Sequence, residues 1–145
     1  NPDANATAFT DGWFRTGDVG YRDEDGFLWF VGRKDDVISS AGYRIGPGEI
    51  EDSLLKHPAV LQAAVIGKPD ELRGQIVKAF VVLGKDFQAS DDLAKEIQLS
   101  VRKRLSAHEY PREVEFIDEL PMTTTGKVRR IELRQREASA RPDNG

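Results

Sequence analysis

Val60-Leu-Gln-Ala-Ala-Val-Ile66 and Ile76-Val-Lys-Ala-Phe-Val-Val-Leu83 are apolar runs rich in β-branched residues, and their reading decides the fold class. β-Branched side chains suit a pleated, buried surface, so the two runs are expected to be the paired central strands of one sheet. Just upstream, Pro47 suits a first helical turn, where proline gives up no needed N–H. Ile50 and Leu54 then face one side through Lys56, and Pro58 stops the helix. Downstream, Leu93, Ile97, Val101 and Leu105 recur at helical spacing behind Ser90, a suitable cap, and mark the longest helix. Val114-Glu-Phe-Ile117 suggests a third strand and Ile131 to Glu137 a short terminal helix. This order predicts an α+β fold, a small sheet of about three strands covered by helices.

An N-terminal β-hairpin precedes that layer. Val19-Gly-Tyr-Arg22 and Phe27-Leu-Trp-Phe-Val31 flank Asp23-Glu-Asp-Gly26, a glycine turn. Val37-Ile38 and Tyr43-Arg-Ile45 flank a smaller turn at Ser39-Ser-Ala-Gly42. The two ends, Asn1 to Ala6 and residues 138–145, lack an apolar repeat, and the latter reads as a flexible tail.

The 145 residues suffice for one domain that buries about two-thirds of its extended surface. Acidic residues number 25 against 21 basic ones, a balance that disfavours general nucleic-acid binding. Without cysteine there is no disulfide, thiolate nucleophile or thiolate metal site, and two histidines, His57 and His108, make no multi-histidine metal centre. No metal ligands are expected. No run approaches the roughly 20 apolar residues of a membrane span, and no signal-peptide pattern is visible, so the expected compartment is the cytoplasm.

Five stretches carry candidate chemistry. In Thr16-Gly17-Asp18 a carboxylate in a glycine turn either shapes the turn or accepts two hydroxyl hydrogens, as from a ribose diol. In Gly32-Arg33-Lys34-Asp35-Asp36, Arg33 offers a fork of donors to phosphate or ribose oxygens and Asp35 can fix a linker. The alternative is a solvated charged loop, but the motif falls where a pivot between hairpin and main layer would lie. In Ser40-Ala41-Gly42-Tyr43-Arg44, Gly42 permits close approach of an extended ligand and Arg44 supplies charge; otherwise this is a hairpin turn with a surface arginine. Lys127, at the end of Pro121-Met-Thr-Thr-Thr-Gly-Lys127, is the sharpest candidate, a point charge on a polar turn that can reach a phosphate oxygen. Its Gly-Lys pair is no P-loop, since the upstream glycine is missing and Val128 follows. Finally, Arg73, Arg102, Lys103, Arg104, Arg112, Arg129, Arg130, Arg134 and Arg136 make the second half locally basic, either to meet the phosphates of a nucleotide-like cofactor or as solvated helix faces, while Tyr110 beside Pro111 either stacks on a base or fills a core edge.

Taken together, Gly12-Trp-Phe-Arg-Thr-Gly-Asp18, the stretch from Gly32 to Glu51, and Leu120-Pro-Met-Thr-Thr-Thr-Gly-Lys-Val-Arg-Arg130 resemble the C-terminal domain of the adenylate-forming superfamily of acyl-CoA synthetases, peptide-synthetase adenylation domains and luciferases. Leu55 to Val60, Arg73 to Leu83 and Tyr110 to Phe116 look closest to medium-chain or acetyl-type acyl-CoA synthetases. The resemblance implies a fatty-acid-type ligase that joins a carboxylic acid to CoA at the expense of ATP with Mg. It implies that Asp18, Arg33 and Lys127 contact ATP or AMP, with Lys127 catalytic, and that Asp35 is the hinge. It further implies that Ala41, Gly42, Tyr43, Arg73, Lys103, Arg104, Tyr110, Pro111 and Arg112 form a CoA face, with Arg44 touching substrate or adenylate. By the same resemblance, residues 1–34 close a large N-terminal adenylating domain, 35–137 form the mobile C-terminal domain, and the large domain, expected to bind most of ATP and Mg, is the missing partner. The chain alone is then expected to be inactive. The alternative is a stand-alone module that binds CoA or nucleotide or docks on a partner.

Overall fold

The computed structural model describes residues 9–10, 13–14 and 17–140. Within the resemblance motifs, Gly12, Arg15 and Thr16 lie outside the described residues, as do residues 141–145. The described residues begin with β1 (Phe9–Thr10) paired antiparallel to β2 (Trp13–Phe14), so Trp13 stands in a short strand. The expected hairpin follows as β3 (Asp18–Arg22) and β4 (Leu28–Arg33). Its turn is organised by one carboxylate. Asp23 accepts the backbone N–H groups of Asp25 and Phe27 and the indole N–H of Trp29, at 3.0, 2.9 and 2.7 Å. The Trp29 hydrogen bond, with the backbone donors, holds the Asp23 carboxyl below its ordinary range.

The main sheet has five strands. Its centre is β7 (Val60–Asp70) against β8 (Gly74–Leu83), antiparallel over nearly their whole length, with β9 (Glu113–Phe116) parallel to β8. These are the three strands expected from sequence. The second hairpin, β5 (Ile38–Ser40) and β6 (Tyr43–Ile45), extends the sheet to five, because Ser40 pairs with Gly74 at the start of β8.

Two-residue alternation sorts the central strands onto two cores. Ala63, Val65, Val77, Ala79 and Val81 meet Ile50 and Leu54 of α1 (Pro47–Leu55) and Ile97 and Val101 of α2 (Asp91–Arg104). Ala64, Ile66, Phe80 and Val82 face the other way, onto Leu120, Val128 and Leu133, the last from α3 (Arg130–Ser139). With helices on both faces, residues 63–66 of β7 and 76–82 of β8 have no solvent side, which is why these stretches are almost wholly apolar. Ser90 caps α2 by accepting the Leu93 N–H. Helix α3 reaches Ser139, so the first two residues of the stretch read as a tail are helical.

One charge interrupts β8. Lys78, 6% exposed, meets Glu137 of α3, 8% exposed, and Lys68 of β7 bridges Glu137 at 3.1 Å and Glu113 of β9 at 2.9 Å. Burial pushes the Glu137 carboxyl up, but the hydrogen bonds from Lys78 and Lys68 outweigh it and hold the group below its ordinary range. The Glu113 hydrogen bond, outweighing partial desolvation, raises Lys68. The cluster ties α3 to the sheet.

Candidate functional site

Two short exposed loops carry Lys127 and Ala41 to Arg44, and they are built against opposite faces of the sheet. The Lys127 loop is a closed turn. Thr123 N–H donates to the Lys127 carbonyl at 2.7 Å, Gly126 N–H to the Thr123 carbonyl at 3.0 Å, and Arg129 N–H to the Pro121 carbonyl at 2.8 Å. The Thr123 hydroxyl accepts the Lys127 N–H at 3.0 Å, and Gly126 adopts φ 84°, a left-handed conformation that glycine takes without strain. A bridge from Met122 to Val128 closes the base, and Val128 packs into the core beneath α3. The backbone at Lys127 is therefore fixed while its side chain is exposed.

The second loop, Ala41 to Arg44, joins β5 to β6 with left-handed backbone at Ala41 (φ 50°) and Gly42 (φ 85°). A side chain at Gly42 would meet nothing within 4 Å, so space is open there and only the backbone conformation demands glycine. Ala41 N–H donates to the Arg73 carbonyl at 2.9 Å, which places Arg73 under this loop. The Tyr43 ring stacks on His108 with centroids 3.9 Å apart and planes within 8°. His108 comes from the connection that leaves α2, so Tyr43 is backed from the α1/α2 side of the sheet. Arg44 is exposed and lines a cleft of about 580 Å³ with Trp29, Phe30, Glu49 and Asp52.

The remaining candidates divide by what already engages them. Asp18 and Arg33 are register partners across the hairpin and share a hydrogen bond of 3.2 Å, so the fold brings the two together on an exposed surface. Asp35 is exposed in a tight turn whose Asp36 and Val37 N–H groups both donate to the Arg33 carbonyl at 3.0 Å. Lys103 is exposed on α2, but Arg104 spends a donor on the Ser53 carbonyl at the end of α1, 2.8 Å away. Tyr110 is flanked by the Arg102 and Arg112 guanidinium groups, 5.5 and 5.2 Å from its ring centre. Pro111 is buried, and its carbonyl and that of Arg112 accept the Gln98 amide at 3.0 Å. Arg102 and Tyr110 line a shallow cavity of about 260 Å³ with Lys95, Gln98 and Leu99. Among the described residues, no group of three or more His, Asp or Glu side chains is placed to hold a metal ion.

Sequence reasoning missed the parts that hold these loops. His108 carries no local signal for its stack on Tyr43, which joins positions far apart in the chain. Asp36, Glu51, Arg130 and Arg134 form an ion-pair cluster across separations of 79 and 98 positions. Thr123, part of the quoted motif, is the residue whose hydroxyl positions the Lys127 backbone.

A five-stranded sheet between helix layers, presenting a fixed lysine turn and a glycine loop on its two sides, defines a small α+β domain with two exposed polar loops. The sequence profile of the AMP-binding enzyme C-terminal domain matches residues 49–127, more than half of the chain, and the protein belongs to that family. Mouse mitochondrial acyl-coenzyme A synthetase ACSM3 is 51% identical over 139 residues, covering 94% of this chain and 24% of its own length. The 4-hydroxybutyrate–CoA ligase 1 of Metallosphaera sedula is likewise 51% identical, over 137 residues, with 94% and 24% covered. Among solved structures, Brucella canis acyl-CoA synthetase superposes with a TM-score of 0.72 at 52% identity, covering 91% of this chain and 24% of that one. ATP-bound MatB of Rhodopseudomonas palustris gives 0.78 at 33% identity, with 93% and 26% covered. The chain thus spans about a quarter of the length of these relatives.

Proposed function

We propose that this chain serves as the moving C-terminal part of an AMP-forming acid–CoA ligase. The observation that carries the reading is the Lys127 turn, an exposed ammonium on a backbone fixed by four hydrogen bonds, inside a domain of the AMP-binding family. In the first half-reaction a carboxylate oxygen attacks the α-phosphorus of ATP, the bond to the bridging oxygen breaks, and acyl-adenylate and pyrophosphate form. The Lys127 ammonium stabilises the charge gathering on the α-phosphate oxygens. Asp18 accepts from the ribose hydroxyls and Arg33 contacts the nucleotide. The residues present suit these tasks: one point charge, one carboxylate and one fork of donors, all exposed. Mg, which accompanies ATP and spreads its phosphate charge, would be held mostly by the large N-terminal domain together with the ATP phosphates.

In the second half-reaction the CoA thiol loses its proton, its sulfur attacks the acyl carbonyl, and AMP leaves with the bonding electrons. We assign this step to the glycine loop: rotation about Asp35, where residues 1–34 meet 35–137, takes Lys127 away and brings Ala41, Gly42, Tyr43 and Arg44 to the carbonyl. Arg73, Lys103, Tyr110 and Arg112 would meet the phosphates or adenine of CoA, with Arg104 less available because of its bond to Ser53. Two loops on opposite sides of one rigid sheet are what such an exchange requires, and this supports the reading.

The large domain that supplies the acyl pocket and most of the ATP site is the proposed partner. The exposed Tyr21, Phe27, Leu28, Trp29 and Phe30 on the hairpin, 53–78% accessible, support it as the surface that such a domain covers. No helix among the described residues is long and apolar enough to cross a membrane. We propose a cytoplasmic setting; the mouse relative is named as mitochondrial, and cell fractionation decides. The test of function is to graft this chain in place of the matching C-terminal quarter of the Brucella canis enzyme and measure acid-dependent AMP release. A graft with ATP- and CoA-dependent activity, beside an inactive isolated chain, is expected; turnover by the isolated chain, or an inert but folded graft, would refute the reading.

A further inference from the structure

We infer that Arg130 is the residue that positions Lys127, by locking the lysine turn to the segment just after Asp35. The inference rests on the role given to Lys127 above. Helix α3 lacks an ordinary start: at its N-cap, Arg129, no side chain accepts an N–H from the first turn. An ionic clamp from its first residue anchors that end of the helix to the rest of the domain. Arg130 Nε and Nη2 donate to Glu51 Oε1 at 3.0 and 2.7 Å, and Nη2 also to Oε2 at 2.7 Å. Its Nη1 lies 3.5 Å from Asp36 Oδ2, while Arg134 Nη1, one turn further along α3, donates to Asp36 Oδ1 at 3.1 Å.

Each member is fixed by something else. Glu51 stands on α1 and its Oε1 also accepts the Val65 N–H of the central strand β7 at 3.1 Å. Asp36 lies in the turn bonded back to the Arg33 carbonyl. The Glu51, Asp36 and Arg130 side chains are 14, 18 and 21% accessible, so water screens the cluster only in part. Between Lys127 and Arg130 there is no slack, because Val128 bridges Met122 and Arg129 donates to Pro121. The position of Arg130 therefore sets that of Lys127. Through Asp36, any rotation at Asp35 carries the lysine turn with it as one body, so a hinge movement becomes a defined displacement of one ammonium. Only a planar, bidentate donor meets both carboxylates, so lysine should not replace Arg130.

Two measurements test this. In the 145-residue chain, Arg130→Lys and Arg130→Met are compared with wild type by amide hydrogen exchange. The amides of Thr123, Gly126, Lys127 and Arg129 are expected to exchange about tenfold faster or more, with those of Val77 to Val82 changed by less than about twofold. Unchanged exchange in the loop, or a rise of equal size in loop and sheet, overturns the clamp. Should Arg130→Met unfold, Arg130→Lys, which keeps the charge, decides. In the graft described above, Arg130→Lys is expected to slow acyl-adenylate formation about 10- to 100-fold while thioester formation from supplied acyl-adenylate stays within about twofold. Equal loss in both half-reactions overturns positioning in favour of a merely structural pair. If Lys127→Ala leaves adenylate formation intact, the catalytic reading of the lysine fails, and the exchange measurement still judges the clamp by itself.

Discussion

The lysine turn at 123–127 and the glycine loop at 41–44 are both polar, exposed and only a few residues long, yet they are held by different means. The first is tied by four hydrogen bonds within and across its own base and stands on the core beneath α3. The second depends on left-handed backbone at Ala41 and Gly42, a carbonyl lent by Arg73, and a ring stack from His108 on the other side of the sheet. One loop fixes a charge in place. The other holds a left-handed backbone that glycine takes without strain. The difference teaches that one rigid sheet can present two polar loops independently, provided each loop draws its support from its own face.

That independence can be broken experimentally. The largest effect is expected from Lys127→Ala in the graft: acyl-adenylate formation should fall about 100- to 1,000-fold, as for loss of a charge-stabilising donor, with thioester formation from supplied adenylate preserved. Gly42→Val should do the reverse. A β-branched residue forced to a φ near 85° costs roughly 1–3 kcal/mol, so thioester formation should fall about 10- to 100-fold while adenylate formation persists. If either substitution lowers both half-reactions equally, the two loops do not act separately. A smaller change follows from Thr123→Val, which removes the hydroxyl bonded to the Lys127 N–H; loss of about 1 kcal/mol should slow adenylate formation roughly fivefold and leave the glycine loop untouched.

Acid separates the two sides without mutation, and only outside the neutral range. The folded-state pKa of Glu137 lies below its ordinary 4.5, so the stability its ion pairs give to α3 is complete above that pH and is lost as pH falls through the lower folded value. Amides of α3 should therefore lose protection below pH 4.5 before those of β5 and β6. Lys68 behaves oppositely: raised above 10.5, it stabilises fully below that pH and ceases to do so as pH climbs through its folded value. Simultaneous loss on both sides of the sheet under acid would place the support of the two loops in common.

How much of this was legible in sequence depends on how local each cause is. Pro47, Ser90 and the β-branched runs at 60–66 and 76–83 act within their own elements, and each element formed where its residues indicated. The lysine turn is local as well, since Thr123, Gly126 and Lys127 bond to one another. The joining of β5 and β6 to the main sheet was not legible, because it hangs on a pairing between Ser40 and Gly74. Nor was the engagement of Arg104 with the Ser53 carbonyl, or that of Tyr110 between two guanidinium groups, which changes what these residues can offer a ligand. Lys78 alone gave a hint, a charge inside an apolar strand that had to find a partner, but nothing local named Glu137.

By itself the sequence determined the α+β class, the central strand pair, the capped long helix and the order of motifs that marks the family, because propensity, periodicity and turn chemistry act over a few neighbouring residues. Only the tertiary structure decided that both faces of the sheet are covered, that the two loops stand on different cores, and that Arg130 joins Glu51 to Asp36. Those contacts bring together side chains many tens of positions apart, and no local pattern encodes which distant charge a half-buried guanidinium will meet.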